Sequence, residues 1–301
     1  MMAAVEAYIA LRRTTGFAMS NAEYLLRSFA RFAVARGQRH VRTRTLVDWA
    51  SLGPSVAQRH ARYQAVCKFA RLTRLEDPGH ELPPANYFGY KKTRRIPRIY
   101  SPAEIGQLML AATRLTPRGT LRPQTYATLI GLLAATGMRV SEALGLCLGD
   151  VTAEGLLIRK TKFQKTRLVP LHDTASAALR SYLQQRLRMH PGGDHVFVGS
   201  NGQPLSYRTV YPAFGTVLKA AGVRGSQGHQ PRMHELRHTF AVRALESAPA
   251  GRQRIGHHMV ALATYLGHVN IDSTYWYLQA TAELLGDIAA AGETFFARKQ
   301  S

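Results

Sequence analysis

The chain has 301 residues, of which 46% are apolar and 19% charged, so it is long enough for two domains that each bury a core. Lysine and arginine number 40 against 18 aspartates and glutamates, and the resulting net charge of +22 favours a polyanionic partner such as nucleic acid. No stretch approaches the ~18 consecutive apolar residues of a membrane span, and the N-terminus lacks a leader pattern, so we expect a cytoplasmic protein without a membrane partner.

Cysteine usage agrees with a reducing compartment. Cys67 and Cys147 lie far apart in segments of helical pattern. Neither has the spacing of a disulfide partner or of a metal ligand. The sequence therefore predicts no disulfide and no metal site.

The N-terminal third has the pattern of a basic helical domain. Apolar residues at helical spacing predict two amphipathic helices within residues 4–36 and a third from about residue 55 to 72. Arg59 and Lys68 belong to the positive charge around the third helix. We assign residues 1–90 to this first domain.

Prolines and glycines then interrupt the helical pattern, and a run of cations follows in the segment 91–100. Its basic residues include Lys91, Lys92, Arg94 and Arg95. The segment is predicted to be an interdomain linker. Composition leaves two interpretations open, a basic clamp around a duplex and a solvated tether.

The second predicted domain, residues 101–301, opens with Ser101-Pro102-Ala103-Glu104, which has the pattern of a capping box at a helix start. Helical patterns dominate again, with one exception. Two β-favouring runs, 156–159 and 167–169, flank a basic stretch and predict a hairpin with lysines at its tip. A further short strand is predicted at 195–198.

Four segments of this domain combine polar, chemically active side chains with turn or helix signals. They are, in chain order, ATGMRVSEALGL around Arg139, TKFQKTRLVPL with Lys162, HELRHTF from His234, and LGH followed nine residues after His268 by Tyr277. A glycine turn is expected to project Arg139 from a rigid base. In the third segment, the spacing places His234, Arg237 and His238 on one helix face.

These four segments resemble, in order and spacing, the catalytic boxes of the tyrosine recombinases, over residues 101–285 or so. The resemblance implies a mainly α fold. Its N-terminal part resembles that family's helical, SAM-like core-binding domain, and the rest resembles its mostly helical α/β catalytic domain with a small β-hairpin. The ending Thr274–Leu278 is similar to transposon-associated integrases of mobile elements.

The resemblance also implies roles for the side chains. Arg139 and Arg237 would stabilise charge on the scissile phosphate, and Lys162 would protonate the leaving 5′ oxygen. His234 and His268 would bind the phosphate and assist the nucleophile. Glu142 would orient an arginine, and His238 would support the site without contacting the phosphate.

Tyr277 is the nucleophile that the resemblance implies, and Tyr265 and Tyr275 are its competitors. Tyr275 and Tyr277 lie about 200° apart on a helix, so they cannot both face one phosphate. Contacts to the DNA backbone are expected from a set of basic residues: Arg59, Lys68, Lys91, Lys92, Arg94, Arg95, Lys160, Lys165 and Arg167.

The implied activity is site-specific recombination through a 3′-phosphotyrosyl intermediate, without a metal ion or other cofactor. The implied partners are double-stranded DNA at specific sites, further copies of the chain in a tetramer, and accessory recombinases. Two alternatives stay open: DNA relaxation of the type IB topoisomerase kind, and a non-catalytic DNA-binding accessory protein of a mobile element.

Overall fold

The computed structural model describes residues 1–17, 19–90, 97–159, 166–225, 230–247 and 252–267, with the backbone alone for 252–256. The chain divides into two compact units, Met1–Arg95 and Ile96–Ser301. This division falls inside the segment 91–100, whose role as a linker stays a prediction. Within the described stretches, no helix combines the length and apolar character needed to cross a bilayer.

The first unit contains four described helices: α1 Met2–Thr14, α2 Ser20–Val34, α3 Thr43–Ser51 and α4 Val56–Glu76. Helices α1, α2 and α4 confirm the three that periodicity predicts. Helix α3 was not predicted, because it spans nine residues and has no side-chain hydrogen bond at its N-cap. Its Trp49 is 2% exposed and lies edge-on to Phe29, with ring centroids 5.4 Å apart. Burial of this indole is a contact between distant residues that local sequence does not reveal.

The second unit is also mostly helical, as expected. Its described elements are α5 Pro102–Ala112, α6 Arg122–Thr136, α7 Val140–Leu144, a 3-10 turn at Leu148–Asp150, β1 Leu156–Ile158, β2 Arg167–Val169, α8 Asp173–Met189, α9 Tyr207–Ala220, α10 Glu235–Glu246 and α11 Arg252–Leu266. Helix α6 lies at the centre, with α5, α8 and α10 packed against it. Its Leu129, Ile130 and Leu133 are buried in the main core of the unit.

Local signals at the start of this unit are confirmed. The Ser101 hydroxyl accepts a hydrogen bond from the Glu104 backbone N–H at 3.1 Å, and the Glu104 carboxylate accepts one from the Ser101 backbone N–H at 2.8 Å. This reciprocal pair is the predicted capping box, and it satisfies two N–H groups that a helix start leaves unpaired. Tyr100, the last residue of the predicted linker, is fully buried in the core of this unit.

The β-structure is smaller than predicted. Strands β1 and β2 form the expected antiparallel hairpin, with Leu156 opposite Val169 and Ile158 opposite Arg167. The strand predicted at 195–198 is wrong. That segment instead makes two isolated bridges, His195 with Cys147 and Val198 with Pro204. Its apolar side chains are buried in the core without a continuous ladder, so hydrophobicity alone gave a false strand signal.

Gly137 ends α6 in the left-handed region, with φ of 60°. A Cβ added there would overlap with Cδ1 of Phe240. We predict that Gly137→Ala lowers the free energy of unfolding by about 2 kcal/mol or more, from backbone strain and overlap together.

The matched control is Gly106→Ala within α5, where an added Cβ meets nothing within 4 Å. This variant should gain about 0.5–1 kcal/mol, since alanine is the better helix former. Denaturant unfolding measures both, and equal stability of the two variants would contradict the packing described for Gly137.

Candidate active site

Arg139 stands where the sequence predicts, directly after the glycine turn. The Gly137 N–H donates to the Leu133 carbonyl at 3.0 Å and closes α6. The chain then turns and Arg139 becomes the N-cap of α7. A left-handed residue at the end of a helix is a position that glycine fills without strain. The turn therefore fixes the backbone that carries the Arg139 side chain.

Glu142 connects two arginines. Its carboxylate accepts from Nη1 of Arg139 at 2.7 Å and from both terminal nitrogens of Arg167, at 3.1 and 2.8 Å. It also accepts from the Arg139 backbone N–H at 2.8 Å. Burial by itself would raise the pKa of Glu142, but the hydrogen bonds from Arg167 and Arg139 outweigh burial and lower that pKa to about 2. Glu142 is thus an ionised carboxylate that orients both guanidinium groups.

Arg237 is the most deeply placed of the arginines predicted to be catalytic, with 2% of its surface exposed. From α10, Nη1 donates to the Gly137 carbonyl at 2.8 Å and Nη2 donates to the Leu266 carbonyl at 2.7 Å. Arg139 reaches the same end of α11, since its Nη2 donates to the Gly267 carbonyl at 3.0 Å. The two guanidiniums therefore bring together the first, third and fourth predicted segments.

His234 immediately precedes α10, and its ring lies 4.9 Å from that of His238 in an edge-to-face arrangement. The helix begins one residue later than the sequence pattern implies, yet the two histidines still meet. His234 is exposed, but the protein packed around its ring removes part of its hydration, which disfavours the charged imidazolium. The positive charges of Arg237, Arg232 and Arg139 disfavour that charged form further. Together they lower the pKa of His234 to about 4, so its ring is neutral at physiological pH.

Tyr265 does not have the surroundings of a nucleophile. Its ring stacks on Phe240 with centroids 5.5 Å apart, and burial raises its pKa. Tyrosine needs the opposite shift to attack as a phenolate. This packing favours one of the later tyrosines over Tyr265.

Several predicted site residues lie outside the described residues: Lys91, Lys92, Arg94, Arg95, Lys160, Lys162, Lys165, His268 and Tyr277. Their roles stay predictions. The described ends nearest to them are Arg159 and Thr166 around the hairpin tip, and Gly267 at the end of α11.

Arg167 has partners that the sequence analysis missed. We expected it to contact DNA, but its side chain is 13% exposed and its terminal nitrogens bind Glu142. The sequence held only an indirect signal for this pairing, namely that Arg167 is the first residue of the second predicted strand. Among the other expected DNA contacts, Arg59 uses Nε to donate to the Gly53 carbonyl at 2.7 Å, and Lys68 is exposed. Contact of these residues with DNA stays a prediction.

Comparison with known sequences identifies related proteins over most of the chain. Residues 100–283 match the phage integrase family. The integrase/recombinase y4rB of Sinorhizobium fredii is 36% identical over 294 residues, which cover 94% of this chain and 93% of that protein. The tyrosine recombinase XerD of Halalkalibacterium halodurans is 32% identical over 66% of this chain and 63% of its own.

Solved structures with a similar fold include recombinases bound to DNA. The XerH site-specific recombinase in a post-cleavage complex with palindromic difH aligns with a TM-score of 0.66 and 20% identity, over 91% of this chain and 79% of that one. The Tn1549 transposon integrase in complex with transposon right-end DNA aligns with a TM-score of 0.65 and 18% identity, over 97% and 98% of the two chains. At these identities the likeness establishes the fold.

The low pKa of Glu142 predicts how acid affects stability. Because its pKa in the folded state lies below the ordinary value of 4.5, its stabilisation is complete above pH 4.5 and is lost as the pH falls through about 2. Glu142→Gln should lower the free energy of unfolding at neutral pH by about 3 kcal/mol, since two arginines lose their carboxylate.

Denaturant unfolding at successive pH values checks this, and the gap between wild type and Glu142→Gln should close toward pH 2. The same change at the exposed Glu154 is the control and should have a small effect at neutral pH. A gap for Glu142→Gln that stays constant from pH 7 to pH 2 would contradict the ion-pair arrangement.

Proposed function

The chain belongs to the phage integrase family, and from this premise we propose that it is a site-specific tyrosine recombinase that cleaves and rejoins DNA through a 3′-phosphotyrosyl link. One observation carries the proposal for the site. Arg139 and Arg237, from separate segments, both donate to the end of α11, at Gly267 and Leu266. His268 follows Gly267 directly in the chain.

The paired guanidiniums suit the charge that develops during strand cleavage. Attack on a phosphodiester places additional negative charge on the non-bridging oxygens, and fixed cations stabilise that charge without having to reorganise. Glu142 fixes Arg139, and two backbone carbonyls fix Arg237. His234 adds a neutral ring that could exchange a proton with the nucleophile or hydrogen-bond the phosphate.

The remaining roles are proposed for residues of the second and fourth segments. The phenol oxygen of Tyr277 would form a bond to phosphorus as the bond to the 5′ oxygen breaks. The phenol proton would pass to the neutral ring of His234, and Lys162 would donate a proton to the leaving 5′ oxygen. His268 would bind the phosphate. In the reverse direction, a 5′ hydroxyl of another strand attacks the phosphotyrosyl bond and releases Tyr277. No high-energy cofactor is consumed, because the phosphotyrosyl link stores the energy of the broken phosphodiester bond for rejoining.

The proposed partners are double-stranded DNA and further copies of the chain. The net charge of +22 supports a DNA partner, since release of counterions from the phosphate backbone drives such binding. A lambda integrase of similar fold, with a TM-score of 0.61 and 17% identity, has been solved as a tetramer bound to a Holliday junction. By analogy we propose a tetramer on paired sites, acting on cytoplasmic DNA with or without accessory recombinases.

A half-site suicide substrate tests this function. Incubated with duplexes from the DNA flanking its own element, the chain should form a covalent protein–DNA adduct that denaturing electrophoresis retains. Tyr277→Phe should abolish the adduct, because the substitution removes the attacking oxygen and keeps the ring.

Tyr275→Phe, two residues away, is the matched control and should retain the adduct. Loss of the adduct in Tyr275→Phe, with retention in Tyr277→Phe, would assign the nucleophile to Tyr275. Relaxation of plasmids without exchange between two sites would contradict the recombinase function itself.

A further inference from the structure

A second group of chemically active side chains shares no residue with the candidate active site. Cys147, Asp194 and His195 each offer one ligand atom, and these atoms all lie within 4.8 Å of one another. Cys147 and His195 are half-buried, and Asp194 is exposed. The cluster is therefore open to solvent on one side and held by the protein on the other.

Paired backbone segments hold the cluster. Cys147 and His195 face each other across an antiparallel bridge. On either side, the Leu148 N–H donates to the Asp194 carbonyl at 2.6 Å and the Val196 N–H donates to the Leu146 carbonyl at 2.8 Å. Because the backbone is already fixed, binding of a ligand would need side-chain rotation alone.

The donor set is specific in its chemistry. A thiolate, an imidazole and a carboxylate suit Zn²⁺, whereas Mg²⁺ and Ca²⁺ prefer oxygen ligands throughout. In a tetrahedral zinc site, neighbouring ligand atoms lie about 3.6 Å apart. The present separations, from 2.9 Å between His195 and Asp194 to at most 4.8 Å, reach that value with movements of about 1 Å. We propose that Cys147, Asp194 and His195 bind one Zn²⁺ ion.

In the proposed site, a zinc–sulfur bond forms as the Cys147 S–H bond breaks, and the proton passes to solvent. The Nδ1 atom of His195 now lies 2.9 Å from the Asp194 carboxylate, and the metal would bind Nδ1 in place of the hydrogen between them, with the neutral imidazole carrying its proton on Nε2 instead. Water would complete the fourth position. The charge of the two anionic ligands balances that of the ion.

A neighbouring carboxylate binds the backbone of the cysteine. Asp150, itself buried, accepts from the Cys147 backbone N–H at 3.0 Å and from Nε of Arg159 at 2.5 Å. It holds the backbone of the proposed ligand Cys147 in place. Such supporting contacts are typical of metal sites.

A catalytic cysteine is the rival interpretation of the same cluster. Burial raises the pKa of the Cys147 thiol, and the Asp194 and Asp150 carboxylates raise it further. Nucleophilic cysteines have the opposite shift. The Cys147 thiol therefore lacks the activation that a nucleophilic cysteine needs.

Bound zinc would join two segments that are distant in sequence. Cys147 follows α7, the helix that contains Glu142, and the other two ligands lie beyond α8. The ion would therefore stabilise the folded second unit, because it binds the native arrangement and not the unfolded chain. Its effect is separate from the proposed recombination chemistry.

The test is titration of the full chain with Co²⁺ as a spectroscopic substitute for Zn²⁺. One equivalent should produce a thiolate-to-cobalt charge-transfer band, and Zn²⁺ should abolish the band by displacement. Cys147→Ser should remove it, and His195→Ala should weaken Co²⁺ binding by at least about tenfold, since even loss of a supporting residue costs that much.

Cys67→Ser is the matched control, because Cys67 is buried in the first unit and should leave the band unchanged. Melting curves without metal should show that each variant is folded. A wild-type chain without the band would overturn the proposal, and so would a band that survives in Cys147→Ser, since the bound thiolate would then be that of Cys67.

Discussion

A buried guanidinium organises the second unit. Arg237 is removed from water almost completely, and an unpaired charge in that position would cost several kcal/mol. Two of its hydrogen bonds go to Gly137, the residue that ends α6, and to Leu266, the last residue of α11. Helix ends present carbonyls without intrahelical partners and carry partial negative charge, so they suit a cation. The hydrogen bonds of Arg237 therefore hold the ends of α6 and α11 against α10.

Arg139 and Glu142 extend this arrangement toward the surface. Arg139 also binds the end of α11, and Glu142 joins it to Arg167 at the start of β2. Two arginines thus share one carboxylate, which leaves an excess of positive charge. An incoming phosphate would meet cations that are already oriented, and this preorganisation is what phosphoryl transfer needs.

Sequence reasoning succeeded where the signals are local. The capping box at Ser101, the hairpin and the glycine turn before Arg139 are each determined by a few neighbouring residues. It failed where a contact joins distant segments. The pairing of Arg167 with Glu142 and the bridge between Cys147 and His195 depend on how elements pack, which the pattern of a single segment does not encode.

The proposed catalytic residues illustrate the same division. The order of the four segments indicated which side chains belong together, and the structure adds how Arg139 and Arg237 meet at α11. The lowered pKa of His234 was not predictable, because it arises from the surrounding protein and from Arg237, Arg232 and Arg139. Burial and charge at a site come from the folded neighbourhood.

The most direct measurement is the single-turnover rate of covalent adduct formation by Arg237→Lys. Lysine keeps the charge but lacks the planar fork that reaches both Gly137 and Leu266. We predict a rate at least about 100-fold below wild type. Arg243→Lys on the same helix, where the arginine donates to the Tyr100 carbonyl at 2.6 Å, should stay near the wild-type rate. A wild-type rate for Arg237→Lys would contradict the account, because charge alone would then suffice.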